Sequence, residues 1–232
     1  MIYNYMSVHQ FNNIIKSDIL FAAVTNYILF NCTYHITSAI FFLIDYFKCF
    51  VNNKIQYDYN LIISYYKKCF WCVLLNTFIF SLIPIFIVSL FEVQNPQFFD
   101  LTKCFIDIIC ILFLTDIFFY SIHRLLHCPW LYTYIHKKHH QIIAPIGFSA
   151  IYMTPIDFLI GNALPVYFPL YLVGAHGITI KLWIIFTTIN TIIFSHSGFK
   201  SLAFYHDIHH SHFNKNYGIN LFMDRLLDTS VN

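Results

Sequence analysis

The stretch 123-HRLLHCPWLYTYIHKKHH-140 follows directly on an apolar run, residues 104–122, and its reading decides the architecture. His123 and His127 are four residues apart, which on a helix places both imidazoles on one face with Cβ atoms about 5–6 Å apart. Asp116 and Tyr120 extend the same stripe upstream. A polar stripe at the end of an apolar helix costs free energy in lipid unless it faces protein. His136, His139 and His140 form a second cluster with the spacing H-x-x-H-H. The string 206-HDIHH-210 repeats that spacing with His206, His209 and His210, and His212 lies just beyond. His196 closes the last apolar segment in the string 195-SHSGF-199.

Composition sets the environment. The apolar set makes up 58% of the 232 residues and the charged set only 10%, against about a quarter charged in a soluble domain. Such a chain cannot coat a globule with charge and belongs in a bilayer. The net charge of +2 is too small to argue for a nucleic-acid partner, and none is expected. The seven cysteines are odd in number and fall mostly in apolar runs, unlike a secreted disulfide framework. Cys69 and Cys72 form a C-x-x-C with no second pair to complete a zinc ribbon, and read as small residues opening a membrane helix. The opening residues lack the basic n-region of a leader, so the first apolar run is expected to stay as an anchor.

A spanning helix needs about 20 mostly apolar residues. Three candidates precede the first histidine pair, at about residues 19–47, 69–91 and 104–122. Asn26, Asn31, His35 and Asp45 give the first an inner face that packs on protein, and Pro84 is expected to kink the second. Two shorter segments, 156–173 and 178–195, form one out-and-back excursion, either crossing or re-entrant, with Pro165 and Pro169 interrupting the first. The expected fold is an all-α membrane protein, a single domain over residues 1–232, with about four to five transmembrane or re-entrant helices and a cytosol-facing, histidine-rich helical cap at about residues 116–228. The histidine face, once set as cytosolic, has ten of the Lys and Arg residues on its side and leaves only Lys16, Lys103 and Lys181 on the other. Residues 48–68 and everything after His196 are then cytosolic, and residues 92–103 luminal.

Every cluster therefore meets at one membrane face. His123, His127, His136, His139, His140, His196, His206, His209 and His210 at one depth imply two metal ions with four or five ligands each. Neutral imidazole suits iron, zinc, copper and nickel and adds no charge at a membrane boundary. A non-enzymatic protein that binds or moves zinc is the reading from a different class. It should carry ionisable groups along a path through its spans, whereas here they gather at one face. Asp116 and Tyr120 are expected to orient ligating imidazoles, since a metal-bound histidine donates its other N–H to an acceptor. His176 and His212 are weaker candidates. His9 and His35 have no clustered partner.

At these residues the sequence resembles the fatty acid hydroxylase and sterol desaturase superfamily, whose ordered pattern is H-x-x-x-H, H-x-x-H-H, a later H-S-G, then H-x-x-H-H. The strings HRLLHCPWLY, IHKKHHQIIAPIGFSAIY, HSGF, YHDIHHSHFNKNYG and the closing DRLLDT look closest to C-4 methylsterol oxidases. HCPWLY and HHSHF also resemble cholesterol 25-hydroxylases. The resemblance implies a membrane di-iron monooxygenase that takes O2, and electrons from NAD(P)H through cytochrome b5, to oxidise a sterol. It also implies that zinc can occupy the site in purified samples and that the chain sits in the endoplasmic reticulum membrane with a cytosolic active site. A fatty acyl, sphingolipid or cholesterol side-chain hydroxylase on the same scaffold is the alternative. The segment between His196 and His206 is shorter than the family's usual one, Thr154 stands where a histidine is common, and Asp157 where glutamate is.

Overall fold

The computed structural model describes residues 8–94 and 100–231, with side chains from Ile15 onward. The expectation for residues 92–103 therefore lies partly outside the described residues, as does the side chain of His9. The chain is all-α, with no strand among the described residues. Helix α1 spans Val8–Tyr46. Helix α2, Tyr59–Leu75, runs through a π-helical turn, Asn76–Phe80, into α3, Leu82–Gln94. Helix α4 spans Leu101–Leu126, and a single turn, α5 at Pro129–Leu131, leads into another π-helical turn, Tyr132–His136. A third π-helical stretch, Asp157–Ala163, opens into α6, Leu164–Leu172. Helix α7, Gly177–Asn190, ends in a π-helical turn, Thr191–Ser195, and two short helices close the chain, α8 at Phe204–His212 and α9 at Phe222–Leu226.

Four helical stretches have the length and apolar composition to cross a membrane: Ile15–Tyr46, Tyr59–Gln94, Leu101–Leu126 and Gly177–Ser195. The stretch from Asp157 to Leu172 is the shorter fifth segment. Helix α1 packs on α3 and α7, and α4 on α6 and α7. The seam between them is filled by Val73, Ile111, Leu170, Ile180, Trp183, Ile184 and Ile192, all buried. Outward, Phe21, Trp71, Ile87 and Phe105 stand 60–77% exposed. An apolar surface of this extent is stable only against lipid.

Side-chain caps mark where helices begin. The Asp58 carboxylate accepts the Leu61 N–H at 3.1 Å, that of Asp100 accepts the Thr102 and Lys103 N–H groups, and His176 Nδ1 accepts the Thr179 N–H at 3.1 Å. The polar residues foreseen on the inner face of α1 do face protein. Asn26 donates to Ser89 Oγ and Glu92 Oε2, Asp45 pairs with Lys54 at 2.8 Å and accepts from the Tyr66 hydroxyl, and His35 sits 3.2 Å from Thr77 Oγ1 while stacking on Phe78. His35 is therefore not partnerless. The break in the second span lies just before Pro84, whose missing N–H falls four residues after Phe80, the end of the distorted turn. It is the π-helical turn, where the Asn76 amide donates to the carbonyls of Ile151 and Met153.

The molecule has two polar ends. At one, Lys181 pairs with Glu92, and Lys103 with Asp107 and the Gly174 carbonyl. At the other, the loop after α1 is bound to the string that carries His196. Ile55 N–H donates to the Gly198 carbonyl, Lys200 N–H to the Asn53 carbonyl, and buried Lys54 reaches the Ser197 carbonyl at 2.7 Å. Gly198 is required there, because its φ is +69° and a Cβ would come within 2.9 Å of the Pro145 carbonyl oxygen. The segments 156–173 and 178–195 thus run from the histidine layer to the opposite end and back.

Candidate metal centre

All nine histidines of the repeated motifs converge in two sets. His123, His127, His136, His140 and His209 bring one ligating atom each within 4.8 Å of one another, and so do His139, His196, His206 and His210. The two sets interleave the chain. Adjacent residues His139 and His140 enter different sets, as do His209 and His210, so each H-H doublet bridges the two positions.

Five of the nine rings turn Nδ1 to a fixed acceptor, while Nδ1 of His140 and of His210 is buried without one. His123 Nδ1 donates to the Tyr217 carbonyl at 2.7 Å, and His209 Nδ1 to the Lys215 carbonyl at 2.6 Å. In the second set His196 Nδ1 donates to the Thr191 carbonyl at 2.9 Å and His139 Nδ1 to the Tyr152 carbonyl at 3.3 Å. His136 Nδ1 lies 2.9 Å from Asp157 Oδ2. A carbonyl oxygen can only accept, so the proton of each neutral ring that meets one is fixed on Nδ1 and Nε2 carries a bare lone pair.

Bare nitrogens face each other in the pairs His123/His136 and His139/His196, and the Nε2 atoms of His140, His206 and His210 complete the two sets. His123 Nε2 and His136 Nε2 are 3.0 Å apart, as are His136 Nε2 and His140 Nε2. In the second set the Nε2 gaps are 3.4 Å from His139 to His196, 3.2 Å from His196 to His206 and 3.1 Å from His206 to His210. His127 Nε2 and His209 Nε2 are buried with no hydrogen-bond partner. Lone pairs so placed repel unless a cation lies between them. Nitrogens bound to one ion at about 2.1 Å are about 3.0–3.4 Å apart for cis-octahedral to tetrahedral angles, which is the spacing here. The donor set therefore fits two metal ions of the imidazole-binding kind.

Burial keeps these rings neutral, the form that ligates. It lowers His127, His136 and His196 to about 3 and His139 to about 4. His140, His206, His209 and His210 are also pushed down, by burial first and by neighbouring imidazoles second.

Four expected site residues have other contacts. Asp116 touches no imidazole. Its carboxylate accepts the backbone N–H groups of Ile219, Asn220 and Met223. Asp224 does the same for Tyr217 and Gly218, so two buried carboxylates fold the loop that presents the Lys215 and Tyr217 carbonyls to His209 and His123. The Tyr120 hydroxyl meets Thr229 Oγ1 and accepts from Arg124 rather than orienting a ring. His176 belongs to neither set and caps α7 at the opposite end, and His212 is exposed, contacting Ser211 and the Ile208 carbonyl. Asp157 was not among the expected site residues. Its sequence signals are an acid opening the apolar segment 156–173 and its place where the resembled family commonly has glutamate.

A cavity of about 350 Å³ lies against this layer. Its wall includes His123 and His136 of one set, His139, His196 and His206 of the other, and the apolar side chains of Phe119, Met153, Val166 and Leu202.

A family model described as fatty acid hydroxylase matches residues 108–229. Fatty acid hydroxylase domain-containing protein 2 of Homo sapiens is 40% identical over 121 residues, which is 50% of this chain but only 36% of that protein's length. Methylsterol monooxygenase erg25B of Aspergillus fumigatus is 31% identical over 240 residues, covering 92% of this chain and 79% of the relative. C-4 methylsterol oxidase erg25 of Schizosaccharomyces pombe is 32% identical over 155 residues, 60% of this chain and 51% of the relative. No solved structure matches. The matched interval holds both imidazole sets and the two carboxylates that fold the last loop, and with it the chain belongs to the fatty acid hydroxylase family.

Proposed function

We propose that the chain is an oxidoreductase that uses two iron ions and O2 to oxidise the C-4 methyl group of a sterol. The observation that carries the metal assignment is the set of facing Nε2 atoms at 3.0–3.4 Å, of which those of His123, His139 and His196 are held proton-free by Nδ1–H donation to backbone carbonyls. Iron held by the two imidazole sets would supply activation of O2 for a hydroxylation in which the C–H bond, O2, two electrons from an external donor and two protons give the alcohol and one water. In this reading the donor is NAD(P)H through a cytochrome b5-type protein.

The chain's own residues supply the rest. The carbonyls of Tyr217, Lys215, Thr191 and Tyr152 fix ring orientation, and Asp157 holds His136. The apolar walls keep bulk water from the reacting carbon and confine the substrate beside the imidazoles. The same reading sets the histidine layer at the cytosolic face of the endoplasmic reticulum membrane, with the sterol drawn from the bilayer.

The sterol assignment draws on the erg25B likeness, which runs along 92% of the chain. Hydroxylation of a fatty acyl chain is the second reading, and the 40% identity to the human fatty acid hydroxylase domain-containing protein favours it. Sterol profiling of a methylsterol-oxidase-deficient host expressing this chain decides between them. Loss of the accumulated 4,4-dimethylsterol is the expected result. An unchanged sterol profile together with newly hydroxylated acyl chains would transfer the function to the second reading.

A further inference from the structure

Two amides in the cavity wall have no task within the protein. Asn162 and Asn190 both line the cavity, and neither side chain has a hydrogen-bond partner among the described residues. Both are half-buried. Of the other polar residues of the cavity wall, the imidazoles belong to the metal layer, Arg225 and Asn220 are exposed at the rim, and Thr191, Ser195 and Tyr205 add hydroxyls beside the amides. Each amide therefore keeps its donors and its acceptor open to a polar group of a ligand seated in the cavity.

Their place in the fold says where that ligand's polar group sits. Asn190 precedes His196 by six residues on the helical stretch that ends at Ser195, and Asn162 follows Asp157 by five on the stretch that continues into α6. At about 1.5 Å per residue, both stand about 7–9 Å deeper in the molecule than the imidazole layer. An asparagine side chain spans part of that distance, so a group held by both amides lies within a few bonds of a carbon at the metal layer. Beyond them the space closes. A further pocket of only about 30 Å³ shares Asn162, Val166 and Thr191 with the cavity and ends against Phe30 and Tyr34. The amides therefore stand at the blind end, and the bulk of a lipid must trail outward past Phe194 and Leu202, which are 50% and 37% exposed.

We infer that Asn162 and Asn190 are positioning residues that grip a hydroxyl on the leading end of the substrate, so that the lipid enters polar end first. The inference deepens the sterol reading and rests on it. It seats the A ring innermost, with the ring hydroxyl on the amides and the neighbouring C-4 methyl group at the imidazoles. Oxidation at the far end of an apolar side chain would require the opposite orientation, with nothing for the amides to bind.

The test is equilibrium binding of two radiolabelled probes to the full chain in lipid nanodiscs, a 4,4-dimethylsterol with its 3-hydroxyl and the 3-deoxy analogue, with turnover measured in parallel. The wild-type chain should bind the hydroxylated probe about tenfold more tightly, as expected for one or two buried hydrogen bonds. The double variant Asn162→Leu/Asn190→Leu should bind both probes equally, at the 3-deoxy level. Asn162→Gln should restore part of the preference, which a purely structural role would not predict. Equal binding of the two probes by the wild type, or a preference that survives in the double variant, overturns the inference while sterol turnover by the wild type leaves the proposed function standing. Failure to bind either sterol overturns both.

Discussion

Each imidazole at the centre has a bare nitrogen that a neighbouring histidine also presents, so losing one ring unbalances a whole set. His139→Ala and His209→Ala, one from each set, should each lower loss of 4,4-dimethylsterol in NADH-supplied microsomes by at least about 100-fold while membrane insertion stays intact. Insertion is driven by apolar spans that neither change touches. Undiminished turnover in either variant would contradict the shared centre. Asp157→Ala removes the acceptor beside His136, and loss of such an orienting partner weakens metal binding by about 10–100-fold. A metal-competition titration with a chelator measures this, and unchanged retention would assign Asp157 to packing alone. The nine histidines were legible in the sequence because repeated spacing is itself a signal. The carbonyls of Lys215, Tyr217, Tyr152 and Thr191 were not, because any residue carries a backbone carbonyl and only the fold aims it. For the same reason Asp116 was placed correctly at the site but given the wrong partner: its stripe position showed that it faced protein, not that the protein would be a run of backbone N–H groups.

Among the elements, the closing loop depends on how closely its backbone approaches two carboxylates. A Cβ on Gly218 would lie 2.9 Å from Asp116 Oδ1 and 2.9 Å from Asp224 Oδ2. Both oxygens are tied to backbone amides and cannot retreat without releasing the loop. Gly218→Ala should therefore displace the Tyr217 carbonyl from His123 and weaken metal retention by about tenfold with helix content unchanged by circular dichroism. Retention at the wild-type level would show that the loop yields elsewhere. A second clasp joins the loop after α1 to the histidine end. Lys54 and Asp45 are 5% and 1% exposed, and Lys54→Met leaves the acid buried without its partner at a cost of about 3–5 kcal/mol. Thermal unfolding in detergent should show a lowered midpoint, partly restored when Asp45→Asn is added. A midpoint within error of the wild type would contradict the clasp. Span positions could be read from the sequence within about four residues, since apolar length is a local property, except that the second helix begins ten residues before the expected start, at Tyr59, where its first turns are polar. The π-helical turn at Asn76–Phe80 could not, because it depends on the Asn76 amide meeting the carbonyls of Ile151 and Met153, about 75 residues away.

For the molecule as a whole, two polar ends separated by an exposed apolar band make a membrane orientation testable. The asymmetry of Lys and Arg is the ground for proposing the histidine end as cytosolic, and the contacts of Ile55 and Lys54 with residues 197–198 hold the 48–58 loop at that same end. A glycosylation acceptor inserted beside Asn53 should therefore stay unmodified in cells, and its glycosylation would invert the orientation. The central claim is that nine imidazoles build two metal positions, of five and four ligands. Its most direct test is the metal content of the purified full chain, by elemental analysis, in the wild type and in a variant with His139, His196, His206 and His210 all changed to alanine. Two ions per wild-type chain and one per variant chain is the predicted result, with iron in the active enzyme and zinc admissible in its place after purification. One ion or none in a wild-type chain that oxidises its lipid would contradict it.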